Sequence, residues 1–171
     1  DKKAACRIAL LDPKLTVTQP QKVTALTGID AISHALETFV TKKRNEVSLS
    51  FSREAWRLLA GNFTRVLSNP EDVEARGAMQ LGACFAGLAI ENSMLGAAHA
   101  AANPLTARYG LTHGLAVGLM ISAVISYNSL DPQINQLYAD LARYGGLANH
   151  NHSPDQAVQS LLDRLGELFQ T

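Results

Sequence analysis

Residues 27–40 read "TGIDAISHALETFV", and the reading of this stretch decides the fold. It reads as a helix over about Ile29 to Thr41, with Thr27 or Gly28 near its start and an apolar side. On a helix, Asp30 and His34 are four residues apart and leave one face about 40° from each other. Such a pair has two readings. It is a local ion pair, worth ~0.2–0.5 kcal/mol on an exposed helix, or it is half of a metal site.

Outward from this stretch the helical pattern continues from Lys22 to the end. A second helix covers about Glu46 to Leu67, where Phe51, Ala55, Leu58, Leu59 and Phe63 recur at helical spacing. It stops at "SNPED", where Asn69 can cap and Pro70 suits a first helical position. The third helix then runs from Pro70 to about Ile90. Its second half, "GAMQLGACFAGLAI", is rich in Gly and Ala, which let helices approach closely, so it is expected to be the most buried element. Pro104 is expected to break the next segment, with Asn103 before it acting as a helix cap. Gly110 suits a helix end, and Thr112 can cap a helix over Gly114–Asn128. Asp131-Pro132 opens another helix, which ends at Gly145-Gly146. Ser153-Pro154-Asp155 opens the last, with Leu161, Leu162, Leu165 and Leu168 facing inward. No repeat or heptad pattern is present. The expected fold is an all-α bundle of about six or seven helices.

The bulk properties agree. The chain has 171 residues, 47% hydrophobic and 18% charged, enough for one domain with a sizeable core. Fifteen basic and fifteen acidic residues give a formal net charge of +0, which favours neither nucleic acid nor an anionic membrane as partner. The longest apolar run, Gly114–Tyr127, is shorter than the ~20 residues a bilayer span needs. Cys6 and Cys84 lie far apart in apolar settings. They are expected to be buried thiols of a cytoplasmic protein, with a disulfide as the alternative. The start, "CRIALLDPKLTV", reads as a short strand over Arg7–Leu11, ended by Asp12-Pro13. A lone strand cannot satisfy its backbone, so the chain is expected to begin inside a larger protein. On that reading the strand's partners lie upstream of residue 1, and residues 21–171 are the helical domain.

Two further histidines lie among small residues: His99 in "GAAHAAANP" and His113 in "LTHGLAVG". Taken singly, His99 reads as a hydrogen-bonded core residue and His113 as part of a helix start. Together with Asp30 and His34 they make three imidazoles and one carboxylate, a donor set that suits Fe²⁺ or Zn²⁺ better than Ca²⁺.

"TGIDAISHALETFV" followed by "NSMLGAAHAAANPLTARYGLTHGLAVGLM" resembles the iron-containing alcohol dehydrogenase family, relatives of glycerol dehydrogenase and dehydroquinate synthase. In that family a G-x-D-A-x-x-H-x-x-E motif precedes an H-x(13)-H-G motif. The resemblance covers nearly the whole chain. It implies that Asp30, His34, His99 and His113 hold Fe²⁺ or Zn²⁺, and that the fold is the helical metal-binding domain of the dehydroquinate synthase-like group. It implies an NAD(P)-dependent alcohol dehydrogenase or aldehyde reductase, in which the metal polarises the oxygen of a small alcohol or aldehyde during hydride transfer. NAD or NADP would be held by the α/β domain that this chain lacks, the isolated domain would be inactive, and a homodimer is expected. Glu37 falls at the motif's last position, for which a role behind the ligands is favoured over direct ligation. Many members carry a His where this chain has Asn103. An amide cannot carry a proton by changing charge, so Asn103 is a weak candidate for the catalytic position. His150 and His152 read as loop residues, Trp56 and Phe63 as packing, and Phe85, Met94 and Leu95 as residues shaping a substrate pocket. The alternatives are a helical metallohydrolase and a non-catalytic helical domain with a relict site.

Overall fold

The computed structural model describes residues 6–169. A 3-10 turn at Pro13–Thr16 leads into seven helices: α1 (Gln21–Val40), α2 (Glu46–Ser68), α3 (Val73–Asn92), α4 (Ala97–Tyr109), α5 (His113–Asn128), α6 (Pro132–Tyr144) and α7 (Pro154–Phe169). The all-α bundle expected from the sequence is the fold. Helix α1 is its axis. It packs against α2, α3, α5 and α6 and also touches α4, while α2 pairs with α3, α4 with α5, and α6 with α7.

Local sequence explains most boundaries. The Asn45 side chain accepts from the backbone of Val47 and Ser48, and the Ser48 hydroxyl accepts in turn from Asn45 N–H, a reciprocal cap that starts α2. Asp131 caps α6 and Pro132 fills its first position, where no N–H is needed. Gly110 ends α4 with a left-handed φ of 67°, a conformation that costs glycine least. The stripe Ala55, Leu58, Leu59 and Phe63 is buried, as are Trp56, Leu161, Leu165 and Leu168.

Several expectations are corrected. Helix α1 begins at Gln21, eight residues before the apolar pattern does. Pro20 sets the start with its carbonyl, which accepts from Thr24 N–H, and tertiary contacts hold this weakly helical turn. Gln21 donates to Leu67 O, and the buried Arg76 donates to Thr24 Oγ1. Asn69 closes α2 instead of opening α3, and Asp72, whose carboxylate accepts from Ala75 N–H, is the cap of α3. The most buried helix is α1, not the Gly- and Ala-rich α3, because α1 is surrounded while α3 lies at the edge with Leu81 and Leu88 exposed. Pro104 does not break the chain. It sits inside α4, on the exposed side, and Asn103 is therefore mid-helix and not a cap. Thr112 precedes α5 but makes no capping hydrogen bond. Residues 7–11 form no strand, and Ile8 and Leu10 are exposed at 82% and 87%, with no partner strand among the described residues. Cys6 is exposed and Cys84 half-buried, and both are free thiols. Among the described residues no single helix is long and apolar enough to cross a membrane.

The crossing of α1 and α5 places His113 beside α1, and it depends on Gly114. A Cβ at this position would lie 2.0 Å from the Leu26 carbonyl oxygen, so any side chain forces the two backbones apart. Gly61, in contrast, faces open space within α2. Gly61→Ala is expected to raise stability by ~0.5–1 kcal/mol through reduced unfolded-state freedom. Gly114→Ala is expected to lower it by about 1–3 kcal/mol, the cost of overpacking. Urea midpoints of the two variants check the opposite signs.

Candidate metal centre

Three segments of chain meet at one oxygen atom. Asp30 and His34 come from one face of α1, His99 from the first turn of α4, and His113 from the first residue of α5. Asp30 Oδ1 lies 3.2 Å from His99 Nε2, 3.4 Å from His34 Nε2 and 3.6 Å from His113 Nε2. Donor atoms of Asp30, His99 and His113 all lie within 4.8 Å of one another. The His34 and His99 rings stack with centroids 4.8 Å apart, and the His113 ring tilts against His99 at 5.3 Å. All four residues singled out in the sequence are therefore brought together. The arrangement is graded from inside to outside: His99 is buried, Asp30 and His34 are half-buried, and the His113 side chain is 40% exposed.

The fit of this set to a divalent ion can be judged from its edges. Two ligands ~2.1 Å from one ion stand ~3.0–3.4 Å apart for octahedral or tetrahedral angles. The three Asp30–His separations lie in or just above that range. Three Nε2 atoms on one carboxylate oxygen also form a borderline donor set, the kind that Fe²⁺ and Zn²⁺ accept. The Asp30-centred edges and the donor chemistry fit the ion, and the tightest mutual grouping is Asp30, His99 and His113.

Glu37, one turn beyond His34 on α1, is 2% exposed and supports the cluster from behind. Its Oε2 accepts from His99 Nδ1 at 2.5 Å, and its Oε1 accepts from Ala98 N–H at 2.6 Å. Its carboxylate thus stands on the side of the His99 ring away from Asp30.

The electrostatics follow from crowding. Burial favours a neutral Asp30, but the hydrogen bond from His99 and the charges of the three histidines win, and its pKa falls below the usual carboxylate value. Glu37 is lowered for similar reasons: burial opposes, but the hydrogen bonds from His99 and Ala98 prevail. His34 is lowered, first by burial, with the Asp30 charge opposing. His99 faces Asp30, Glu37, His34 and His113. Burial acts against its charge, yet the hydrogen bonds and charges of Asp30 and Glu37 push it up to about 9.

The remaining candidates lie elsewhere. Asn103 is exposed on α4, one turn after His99, and its side chain makes no hydrogen bond among the described residues. His150 and His152 sit in the α6–α7 loop as expected, where His152 Nδ1 accepts from Asn149 N–H. Met94 and Leu95 line a cavity of about 400 Å³ beside Glu37, together with Lys42 and Lys43. Phe85 does not reach it, because it packs on Phe51 at 5.8 Å between α2 and α3. Nothing in the sequence pointed to the two lysines as part of a cavity lining.

With fold and cluster described, comparison with known proteins is informative. Residues 24–171 match the model of the Fe-containing alcohol dehydrogenase family, C-terminal part, and the chain belongs to this family. It is 32% identical over 155 residues to 1-propanol dehydrogenase PduQ of Citrobacter freundii, covering 91% of this chain and 42% of that protein. It is 31% identical over 168 residues to alcohol dehydrogenase 4 of Schizosaccharomyces pombe, covering 98% of this chain and 38% of that protein. The crystal structure of 1,3-propanediol oxidoreductase superposes with a TM-score of 0.88 at 30% identity, over 93% of this chain and 41% of that one. Sulfoacetaldehyde reductase from Bifidobacterium kashiwanohense, solved in complex with NAD+, gives 0.81 at 29% identity, over 92% of this chain and 39% of that one. The chain thus spans about two fifths of the length of these relatives.

The raised His99 pKa has two consequences of known sign. Its folded value lies above its ordinary 6.5, so the stability that the His99 proton confers on the metal-free chain is fully present below about pH 6.5 and lost as pH rises through about 9. An ion at Nε2 must displace that proton. The apparent Zn²⁺ affinity is therefore expected to rise ~tenfold per pH unit between pH 7 and 9. Chelator-competition titrations at pH 7 and pH 8 test this, and equal affinities at the two would contradict it.

Proposed function

We propose that residues 21–171 form the helical metal-binding domain of an NAD(P)-dependent alcohol dehydrogenase or aldehyde reductase, with residues 1–20 as the connection to its nucleotide-binding domain. The observation that carries this reading is the convergence of His34, His99 and His113 Nε2 on Asp30 Oδ1. Membership of the Fe-containing alcohol dehydrogenase family, and the NAD+ complex of a relative, support the same reading.

Asp30, His34, His99 and His113 would hold the ion, with Fe²⁺ favoured over Zn²⁺ by the family to which the chain belongs. A divalent ion in this set supplies Lewis-acid polarisation of the substrate oxygen, which favours hydride exchange with the nicotinamide. The chain's own contribution is positioning and charge. Asp30, held ionised, brings one negative charge to the ion and leaves the site net positive toward an alkoxide. The half-exposed His113 marks the side from which substrate would approach, and His99 and Glu37 form the buried side of the cluster. Asn103, one turn after His99 on α4, would orient a substrate through its amide and would not transfer a proton. The substrate class is a small alcohol or aldehyde, the assembly a homodimer, and the location the cytoplasm.

The test uses the full-length protein. Purified anaerobically with Fe²⁺, it should hold about one equivalent of metal and oxidise NADH or NADPH with short aldehydes. In the His99→Ala, His113→Ala double variant, both metal content and turnover should fall to background. Undiminished turnover in that variant would overturn the proposal.

A further inference from the structure

Helix α4 starts without a cap of its own. Gly96 precedes its first residue and has no side chain to offer, so the N–H groups of Ala98 and His99 need acceptors from elsewhere. A capping side chain ordinarily accepts from the second or third helical residue. Here Glu37 does so from another helix, 61 residues away in sequence: Oε1 accepts from Ala98 N–H at 2.6 Å and Oε2 from His99 N–H at 3.4 Å. The same Oε2 accepts from His99 Nδ1 at 2.5 Å. Gly96 is part of the device. A Cβ there would stand 2.8 Å from Glu37 Oε1, so a conventional Ser or Asp cap would displace the carboxylate.

Resting on the metal reading above, we propose that Glu37 is a positioning residue for that centre: it caps α4 in place of Gly96 and fixes the proton of His99 on Nδ1, leaving Nε2 free to face Asp30. Both halves of the role depend on one carboxylate. An ionised carboxylate only accepts, so Glu37 requires a proton on Nδ1 while Asp30 competes for one on Nε2 in the metal-free chain, and an ion on the Asp30 side would leave Nδ1 the only protonated nitrogen. A neutral imidazole has one proton, and placing it on Nδ1 leaves the lone pair at Nε2. The cap meanwhile fixes the height of His99 along α4 relative to Asp30, two turns earlier than Glu37 on α1.

Glu37→Gln separates this role from simple packing, because the amide has the same size. Its oxygen can still accept from Ala98 N–H, but its NH₂ then faces His99 Nδ1. The ring is then favoured in the other tautomer, with the proton on the atom that should ligate. Zn²⁺ affinity of the chain, measured by chelator competition, is expected to fall 10–100-fold. Ring ¹⁵N shifts should place the His99 proton on Nδ1 in the Zn²⁺-loaded parent and on Nε2 in the metal-free variant at pH 10. Circular dichroism verifies that the variant remains helical. Affinity within twofold of the parent, with the proton still on Nδ1, would overturn the role. If the variant does not fold, the loaded parent decides alone, since ligation through Nδ1 or a proton on Nε2 there overturns it. If the parent takes up no Zn²⁺, the metal reading fails, and the metal-free tautomer of parent and variant at pH 10 still decides what Glu37 does.

Discussion

The His99 ring is held between two carboxylates of one helix, and the site depends on that clamp. Asp30 and Glu37 are seven residues apart, two turns on α1, and so stand on nearly the same face. The ring of His99 spans the gap, with Nε2 toward Asp30 and Nδ1 toward Glu37. Without an ion, the positive charge of protonated His99 offsets part of the negative charge of Asp30 and Glu37. An ion held by Asp30 and Nε2 would leave Glu37 on Nδ1.

Burying so much charge is costly, since an uncompensated ionised group in a protein interior costs several kcal/mol. The structure offsets this by completing the hydrogen bonds of Glu37 and by keeping the cluster at one edge of the bundle. The apolar core lies on the other sides of α1, where Ile32, Leu36 and Phe39 are sealed among residues such as Trp56, Phe63 and Ile121. One helix thus carries two patterns, an apolar one that anchors it and a polar one that meets α4 and α5. This double use explains its depth of burial. A helix whose polar face must also be surrounded becomes the axis of the fold.

Much of this was legible in the residues. The Asp30–His34 spacing, the paired His99 and His113, and the apolar stripes of α2 and α7 follow from helical periodicity, a local property. The misplaced features have non-local causes. Pro104 reads as a break because its ring and missing N–H disrupt an isolated helix. It is tolerated because it lies on the outer side of α4, while Ala98, His99 and Ala102 are packed on the inner side. Helix α3 reads as the most buried element from its small residues, yet small residues record close approach on one side only. The first helix reads as starting only at about Ile29 because Thr24, Thr27 and Gly28 form helices poorly, whereas Arg76 and Leu67 hold the preceding turn from other helices.

Residue type and spacing within one element were enough to give the helical class, the family and the four candidate ligand side chains. Only the tertiary structure decided that three imidazoles share one carboxylate oxygen, that Glu37 caps a helix 61 residues away, and that Gly96 and Gly114 leave room for those contacts. The physical reason is range. Periodicity governs neighbours a turn apart, whereas hydrogen-bond partners between helices depend on how closely two backbones pass.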